Sequence, residues 1–177
     1  FIQLLGHAIN ANRRKNPLVQ DAAEKFHAKS LGLPTPLYIL NPKIIPALKK
    51  EPYFKIVENC YHNLDLLFTG LGTLDSFKAN PFLDKNYGPQ LFKNIPEEQV
   101  AGLIMGRPYN INGEFFTDFE KHICGISMND IMQTPTRFCV VNNRFKSKAL
   151  LGALRSGIIT HLVINDDLAH RVLREAE

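Results

Sequence analysis

The sequence has few cysteines and no long apolar run, and these absences argue against a disulfide-rich, zinc-binding or membrane-spanning protein. Its three cysteines, Cys60, Cys124 and Cys139, lie far apart and form no CxxC pair, which argues against a disulfide framework or a zinc site. We therefore expect each cysteine to be a small buried apolar residue and the protein to occupy a reducing, cytoplasmic setting. No apolar segment approaches the roughly 20 residues that cross a bilayer, so we expect no membrane partner.

The common motifs of catalysis, metal binding and DNA reading are also missing. The six histidines show no HxxxH or HExxH spacing, and no Asp–His pair is apparent from the spacing, so we predict no catalytic residue, metal or cofactor. The net charge of +4 and the pI near 9.0 suit an anionic partner. However, the basic residues are dispersed and no helix-turn-helix pattern is present, so these residues alone are not predicted to bind DNA.

Short apolar segments alternate with segments of helical periodicity along the 177 residues. The apolar segments are continuous rather than alternating, which indicates strands covered on both faces. Strands are predicted at 1–5, 36–40, 64–69, 101–105, 137–141 and 161–165. Helices are predicted at 18–29, 42–49, 53–61 and 146–156, with one more after a Ser127 cap and a last one opening at Asp166.

A tight turn interrupts this alternation. Asn112-Gly113 is a strong turn signal and predicts a hairpin in the section from 110 to 124. The predicted fold class is therefore α/β: an open, mostly parallel sheet flanked by helices, with a small β-hairpin excursion. The chain starts at Phe1 inside an apolar run, which we interpret as a core strand exposed by truncation of a single domain spanning 1–177.

Four loops follow predicted strands, where ligands of such sheets bind. They are Gly6-His7 to Asn12, Gly70 to Thr73, Gly106 to Pro108, and 142–148. Gly70 and Gly72 would let backbone N–H groups approach an anion, and Thr73 adds a hydroxyl. Arg107, between glycine and proline, cannot sit in the sheet core on this interpretation and would point at a phosphate or carboxylate. Lys146 lies in a helix's first turn, where a cation is favourable only beside an anion.

Each of these signals also has an ordinary structural explanation. A lone GxG is commonly a tight turn, Arg107 could be a solvated charge, and His7 fits a cleft-lining polar group better than a catalytic base. Only their shared position at strand ends favours a site.

In this arrangement the sequence resembles the sugar-binding domain of SorC/DeoR-type bacterial transcription regulators. The similarity covers nearly the whole chain and rests on six segments in order, none of which is decisive alone. They are Gln3 to Gly6, the LPTPL segment at 33–37, FTGLGT at 68–73, AGLIMGR at 101–107 with Asn112-Gly113, CGISMND at 124–130, and the closing block 146–166.

The resemblance implies a fold similar to sugar-phosphate isomerases that is used for sensing rather than catalysis. It implies a sugar-phosphate effector, an N-terminal helix-turn-helix outside this chain that binds operator DNA, and assembly as a homo-oligomer, a dimer or tetramer. By position it assigns effector contacts to Gly72, Thr73, Arg107 and Lys146, while Gly6 and Gly70 would shape the cleft. We add His7 as a cleft residue and expect Asn10, Asn12 or Asn143 to read sugar hydroxyls.

The chain departs from the family pattern at three places. The family's first glycine- and threonine-rich phosphate loop precedes the start of this chain, the acid of its GD pair is Leu103, and its two glycines before the lysine turn are Asn142 and Asn143. Two alternatives to a sensor therefore stay open. One is an isomerase or deaminase acting on sugar phosphates, and the other is an assembly module with a vestigial cleft.

Overall fold

The computed structural model describes residues 1–8 and 17–177 and has a mixed α/β fold. Its strands are β1 (Leu66–Thr69), β2 (Leu71–Gly72), β3 (Gly102–Ile104), β4 (Arg107–Tyr109), β5 (Thr136–Val141) and β6 (His161–Ile164). Its helices are α1 (Leu18–Lys25), α2 (Ile44–Leu48), α3 (Pro52–Tyr61), α4 (Leu74–Lys78), α5 (Pro81–Asn86), α6 (Gly88–Leu91), α7 (Met128–Gln133), α8 (Ser147–Arg155) and α9 (Asp166–Ala176). Short 3-10 turns cover Glu97–Gln99, Thr117–His122 and Arg144–Lys146.

The predicted parallel sheet is confirmed for three strands. Strand β5 lies in the centre, with β1 and β6 parallel on either side. Helix α8 follows β5 and α9 follows β6, as expected for strand–helix alternation. None of the helices in residues 1–8 and 17–177 has the length and apolar character that a membrane span requires.

The prediction that 101–105 adds a strand to this sheet is wrong. Strand β3 belongs to a separate antiparallel sheet of order β2-β3-β4. The chain reverses at Met105-Gly106, whose φ angles of 46° and 76° are both positive, as in the turns that join two-residue hairpins. The Asn112-Gly113 turn predicted from the sequence also forms: Gly113 has φ 86°, and Tyr109 pairs with Phe115 across the turn.

Two other predicted strands, 1–5 and 36–40, form only isolated bridges. Residues 1–7 pair with Leu31, Gly125 and Pro36 in turn, and Tyr38 pairs with Ile123. The prolines at 34 and 36 have no backbone N–H to donate, so a continuous ladder cannot extend through this segment.

Strand β3 separates two groups of core side chains. Ile104 packs in a large cluster with residues of α8 and α9, such as Leu150 and Leu168. Leu103, one position earlier, packs in a second cluster rich in aromatic rings, which includes Tyr38, Phe77 and Phe119. Because successive side chains of a strand point to opposite faces, a three-residue strand is enough to contribute to both clusters.

One face of the parallel sheet is left open by the described residues, contrary to the expectation that both faces are covered. Phe68 is 63% exposed and Val163 51% exposed, and Leu66 and Val140 share this face. Phe138 joins the face by stacking between the Phe68 ring at 5.1 Å and the His161 ring at 4.8 Å. The side chains on the opposite face, such as Leu67 and Cys139, are buried.

The cysteine predictions are confirmed at two positions out of three. Cys124 and Cys139 are buried free thiols, whereas Cys60, near the end of α3, is exposed. Among the described residues, no three His, Cys, Asp or Glu side chains form a group that could hold a metal ion.

The predicted Ser127 cap is confirmed, and it carries an ion pair that sequence spacing does not reveal. Ser127 Oγ accepts a hydrogen bond from the Asp130 amide and donates to Asp130 Oδ2 at 2.6 Å. His62 Nδ1 lies 2.6 Å from Asp130 Oδ1, although 68 residues separate them. Burial by itself raises the pKa of Asp130, but hydrogen bonds from Ser127 and His62 outweigh burial and bring the pKa below its ordinary value.

We expect Asp130→Asn to destabilise the fold at neutral pH and to remove part of its acid sensitivity. A carboxylate whose pKa is lowered by folding contributes stability above its unfolded-state pKa of about 3.9 and loses it as pH falls through the folded-state pKa. The difference in free energy of unfolding between wild type and variant should therefore shrink below about pH 4. Urea unfolding at pH 7 and at pH 3 measures this, and a difference that stays constant with pH would contradict the assignment.

Candidate functional site

The carboxyl ends of β1 and β5 bring two loops together at one edge of the parallel sheet. After β1 the chain passes through Gly70 into β2, and after β5 it passes through Asn142 and Asn143 into a 3-10 turn. The two strands pair in parallel, with Thr69 beside Cys139. Both loops therefore leave the sheet at the same edge, where ligands of open α/β sheets bind.

The loop after β1 is fixed by strand pairing, because its β2 residues belong to the antiparallel sheet. Leu71 pairs with Ile104 and Gly72 pairs with Leu103. Thr73 then caps α4, because its Oγ1 accepts a hydrogen bond from the Ser76 amide at 3.2 Å and lies 3.0 Å from Ser76 Oγ. The segment from Gly70 to Thr73 is thus a fixed turn that carries hydroxyl groups at its end.

The loop after β5 positions the Lys146 ammonium against the loop after β1. Asn143 Oδ1 accepts a hydrogen bond from the Phe145 amide and so starts the turn at Arg144–Lys146. Lys146 is half-buried, and its Nζ donates to the Leu71 carbonyl. Burial raises the pKa of the Cys139 thiol to about 11, and the positive charge of Lys146 opposes that rise. The Lys146 ammonium therefore lies beside the strand ends rather than in bulk solvent.

An open cleft of about 380 Å³ lies against the Gly70–Thr73 segment. Its lining includes the hydroxyl residues Thr69, Thr73 and Ser76. No carboxylate, imidazole or thiol is among the described residues that line it. The remaining lining residues are glycines and apolar or aromatic side chains: Leu5, Tyr38, Gly70, Leu71, Gly72, Phe77, Leu103, Met105 and Gly106.

Three of the seven predicted site residues line this cleft, and a fourth, Lys146, contacts the loop that borders it. Gly70, Gly72 and Thr73 line it, and Lys146 reaches the same loop through the Leu71 carbonyl. Of the amides expected to read hydroxyls, Asn143 caps the Lys146 turn, while Asn10 and Asn12 lie outside the described residues. The convergence of the second and fourth predicted loops is therefore present in the structure.

Gly6 and His7 lie elsewhere. Gly6 is buried, its amide donates to the Cys124 carbonyl at 2.8 Å, and a Cβ placed on it would approach the Pro36 carbonyl oxygen to 2.3 Å. His7 is exposed and lines a second cavity of about 300 Å³ with Phe82, Leu83 and Tyr87. The two cavities share Tyr38. His7 therefore borders the neighbouring cavity and is not among the described residues that line the one against Gly70–Thr73.

The prediction that Arg107 cannot sit in the sheet core is wrong. Arg107 is 2% exposed and lies in β4. Its Nε and Nη2 donate to both Glu120 oxygens, at 2.6 and 2.8 Å, and its remaining bonds go to the carbonyls of Met105 and Ile126. The reversal at Met105-Gly106 turns the side chain inward, so Arg107 lines neither cavity.

The sequence reasoning missed most of the apolar lining of the cleft. Leu103 and Met105 line it because β3 pairs with β2, and Phe77 lines it from α4. Leu103 had a usable signal, since it stands at the position of an acid in the family pattern.

With this geometry in hand, comparison with known proteins identifies the family. A family model described as "Putative sugar-binding domain" matches residues 1–174. The chain belongs to this sugar-binding domain family. The resemblance inferred from the ordered motifs is therefore confirmed.

Relatives and structural neighbours of the sugar-binding domain agree with that assignment. The domain is 27% identical over 146 residues to the transcriptional regulator LsrR of Enterobacter sp. (strain 638), which covers 80% of this chain and 45% of that protein. It thus spans about half the length of the curated relatives it matches. A crystal structure of a Streptococcus pneumoniae transcriptional regulator superposes with TM-score 0.84 at 20% identity, over 98% of this chain and 66% of that one. Full-length SorC, the sorbitol operon regulator of Klebsiella pneumoniae, gives 0.70 at 24%, over 87% and 50%. These two structures share the fold.

Proposed function

We propose that this sugar-binding domain is the effector sensor of a transcription regulator and binds a phosphorylated sugar at the Gly70–Thr73 cleft without turning it over. The observation that carries the proposal is the meeting of the Gly70–Thr73 segment with Lys146 at the edge of the parallel sheet. A fixed lysine, hydroxyl groups and a glycine-containing turn are the groups that recognise phosphate oxygens. The Lys146 ammonium would exchange the Leu71 carbonyl for a phosphate oxygen, a stronger charge-assisted contact.

The composition of the cleft favours sensing over catalysis. Isomerisation or deamination of a sugar phosphate needs a general acid or base within hydrogen-bond reach, and the described lining residues include no carboxylate or imidazole. The hydroxyl of Tyr38 donates to the Gly106 carbonyl at 2.8 Å, and burial raises the pKa of Tyr38, so this phenol is unsuited to accept a proton. The His62–Asp130 pair serves the cap of α7 and lines neither cavity.

The output of such a sensor would lie outside residues 1–177. We propose that effector binding favours one arrangement of a homo-oligomer, a dimer or tetramer in the cytoplasm, and that this bias changes the affinity of a separate region for operator DNA. The names of the relatives support this part, since both LsrR and SorC are regulators.

The test is a thermal-shift screen with ribose 5-phosphate, glucose 6-phosphate and fructose 1,6-bisphosphate, each with its unphosphorylated sugar. A ligand at 100 times its dissociation constant adds about 2.7 kcal/mol of stability. Lys146→Gln should weaken binding at least about tenfold, because a hydrogen bond to a charged group is worth about 1.5–3 kcal/mol and the amide carries no charge. Lys148→Gln is the matched control, since Lys148 is exposed and only two residues away.

The outcomes separate the three functional classes. Stabilisation by a sugar phosphate, lost in Lys146→Gln and kept in Lys148→Gln, supports the sensor. Conversion of a sugar phosphate to product, followed by NMR, would favour the enzyme alternative instead. No stabilisation by any compound, at concentrations up to several millimolar, would point to an assembly module and would reject the proposed function.

A further inference from the structure

A histidine and a buried carboxylate meet where α3 contacts α7. His62 follows the last residue of α3, and its Nδ1 lies 2.6 Å from Asp130 Oδ1 in α7. The His62 side chain is 57% exposed, whereas that of Asp130 is only 5% exposed. Neither residue is among the described residues that line the two cavities. The pair is therefore a solvent-facing imidazole bonded to an almost completely buried acid, separate from the proposed effector site.

The contacts of Asp130 determine which ring nitrogen of His62 carries the proton. Burial by itself raises the pKa of Asp130, but the hydrogen bonds from Ser127 and His62 bring it below its ordinary value, so this carboxyl group is ionised at neutral pH. An ionised carboxylate only accepts hydrogen bonds. Its Oδ2 accepts one from Ser127 at 2.6 Å, and its Oδ1 accepts the one from His62 Nδ1. In the neutral imidazole the free lone pair is therefore on Nε2.

This arrangement makes Nε2 of His62 a nucleophile. When Nε2 attacks an electrophile, the ring becomes positively charged, and a carboxylate bonded to Nδ1 stabilises that charge. His62 also stands at the C-terminal end of the ten-residue helix α3, where the helix dipole favours a positive charge. Within residues 1–8 and 17–177 no hydrogen bond occupies Nε2. The exposed nitrogen is thus free to react.

The other described histidines lack this combination. His170 pairs with Asp166, but through Nε2 at 3.3 Å, and Asp166 is 88% exposed. Nδ1 of His122 lies 2.9 Å from a backbone carbonyl oxygen, and Nδ1 of His161 lies 3.0 Å from a threonine hydroxyl. Both of these partners are uncharged. Among the described histidines, a buried carboxylate on Nδ1 is found at His62 alone.

The surrounding charges favour an anionic electrophile. The chain has a net charge of +4, which attracts anions. The ammonium of Lys49 is close enough to help lower the pKa of Asp130, although Lys49 also pairs with Glu58 at 2.7 Å. An anionic donor therefore meets partly compensated charge beside His62 rather than an isolated carboxylate. A phosphoryl group is the anionic electrophile that an imidazole nitrogen accepts.

We propose that His62 is a phosphoryl acceptor, modified on Nε2 by a donor that carries a P–N bond. The Nε2 lone pair attacks phosphorus, the P–N bond of the donor breaks, and the amine leaves with the electron pair of that bond. One P–N bond replaces another, so the transfer needs no further co-reactant. The Nδ1 proton stays on the ring and remains bonded to Asp130, so the contact between α3 and α7 is kept. The added negative charge gives the domain an input that does not use the effector cleft.

The test is incubation of the protein with phosphoramidate at pH 8, without any sugar, followed by peptide mass spectrometry in non-acidic solvent. With this donor the leaving amine is ammonia. His62 should be phosphorylated about tenfold faster than His27, an exposed histidine without an acidic partner, because a hydrogen bond to a charged group contributes at least about a factor of ten. Phosphorus–proton NMR should place the phosphoryl group on Nε2. Equal rates at the two histidines, or modification on Nδ1, would overturn the proposal.

Substitution of the acid tests its part in the reaction. In Asp130→Asn the rate at His62 should fall about tenfold, while the rate at His27 stays unchanged. Circular dichroism checks that this variant is folded. If it is not, His170 replaces it as the comparison within the wild-type protein, and its rate should stay as low as that of His27 because its acid is exposed and binds Nε2. An undiminished rate at His62 in the folded variant, or a rate at His170 equal to that of His62, would show that the buried carboxylate does not activate the imidazole.

Discussion

Replacing Arg107 with alanine is expected to lower the free energy of unfolding by about 3 kcal/mol. The guanidinium is buried in β4 and donates to both oxygens of Glu120 and to the carbonyls of Met105 and Ile126. Removing one partner of a buried ion pair costs about 3–5 kcal/mol, and the lower end applies here because Glu120 is partly exposed. The four contacts tie β4 and its hairpin to the 117–122 turn and to the chain before α7.

Urea denaturation of the variant measures this loss, and Arg144→Ala serves as its control because Arg144 is exposed and outside this network. Arg107→Lys should fall between wild type and alanine, since lysine keeps the charge but not the two-pronged geometry. A variant as stable as wild type that had merely lost ligand-induced stabilisation would contradict the structural role and restore Arg107 as an effector contact.

Replacing Gly6 with alanine is expected to cost about 2 kcal/mol of folding free energy. The new Cβ would lie 2.3 Å from the Pro36 carbonyl oxygen and 2.6 Å from the Thr35 carbonyl oxygen. Both obstacles are backbone atoms, so no side chain can rotate away, and forcing extra volume into such a place typically costs about 1–3 kcal/mol. The strain would fall on the bridges that hold residues 1–7 against 31–37.

Gly32→Ala is the matched control for this substitution. It lies in the segment paired with residues 1–7, yet a Cβ there would come no closer than 3.8 Å to another atom, the Gln3 side-chain oxygen. Its free energy of unfolding should stay within about 0.5 kcal/mol of wild type. Comparable thermal unfolding temperatures for both alanine variants would show that the close approach at Gly6 is not a constraint.

The distinction between a ligand contact and a packing contact is where sequence reasoning was weakest. Gly6, Gly72 and Arg107 all stand at ends of apolar segments beside turn residues, and from sequence alone they support one site equally well. In the structure Gly72 lines the cleft and Arg107 forms an ion pair with Glu120. Gly6 lets its backbone pass close to the backbone of Thr35 and Pro36.

Several features were determined by the sequence itself, because their causes are local. The apolar segments at 64–69, 137–141 and 161–165 form the parallel sheet, Ser127 caps α7, and Asn112-Gly113 turns the chain. Residue type and spacing fix each of these within a few positions. The order of motifs likewise identified the family, since order along a chain is a property of sequence.

Only the tertiary structure decided what the cleft is made of. Strand β3 belongs to a separate antiparallel sheet, where Leu103 pairs with Gly72, and the reversal at Met105-Gly106 turns Arg107 inward. The pairing of His62 with Asp130 and the reach of Lys146 to Leu71 join residues 68 and 75 positions apart. Such contacts depend on how whole elements cross one another, and no periodicity within a single segment encodes that geometry.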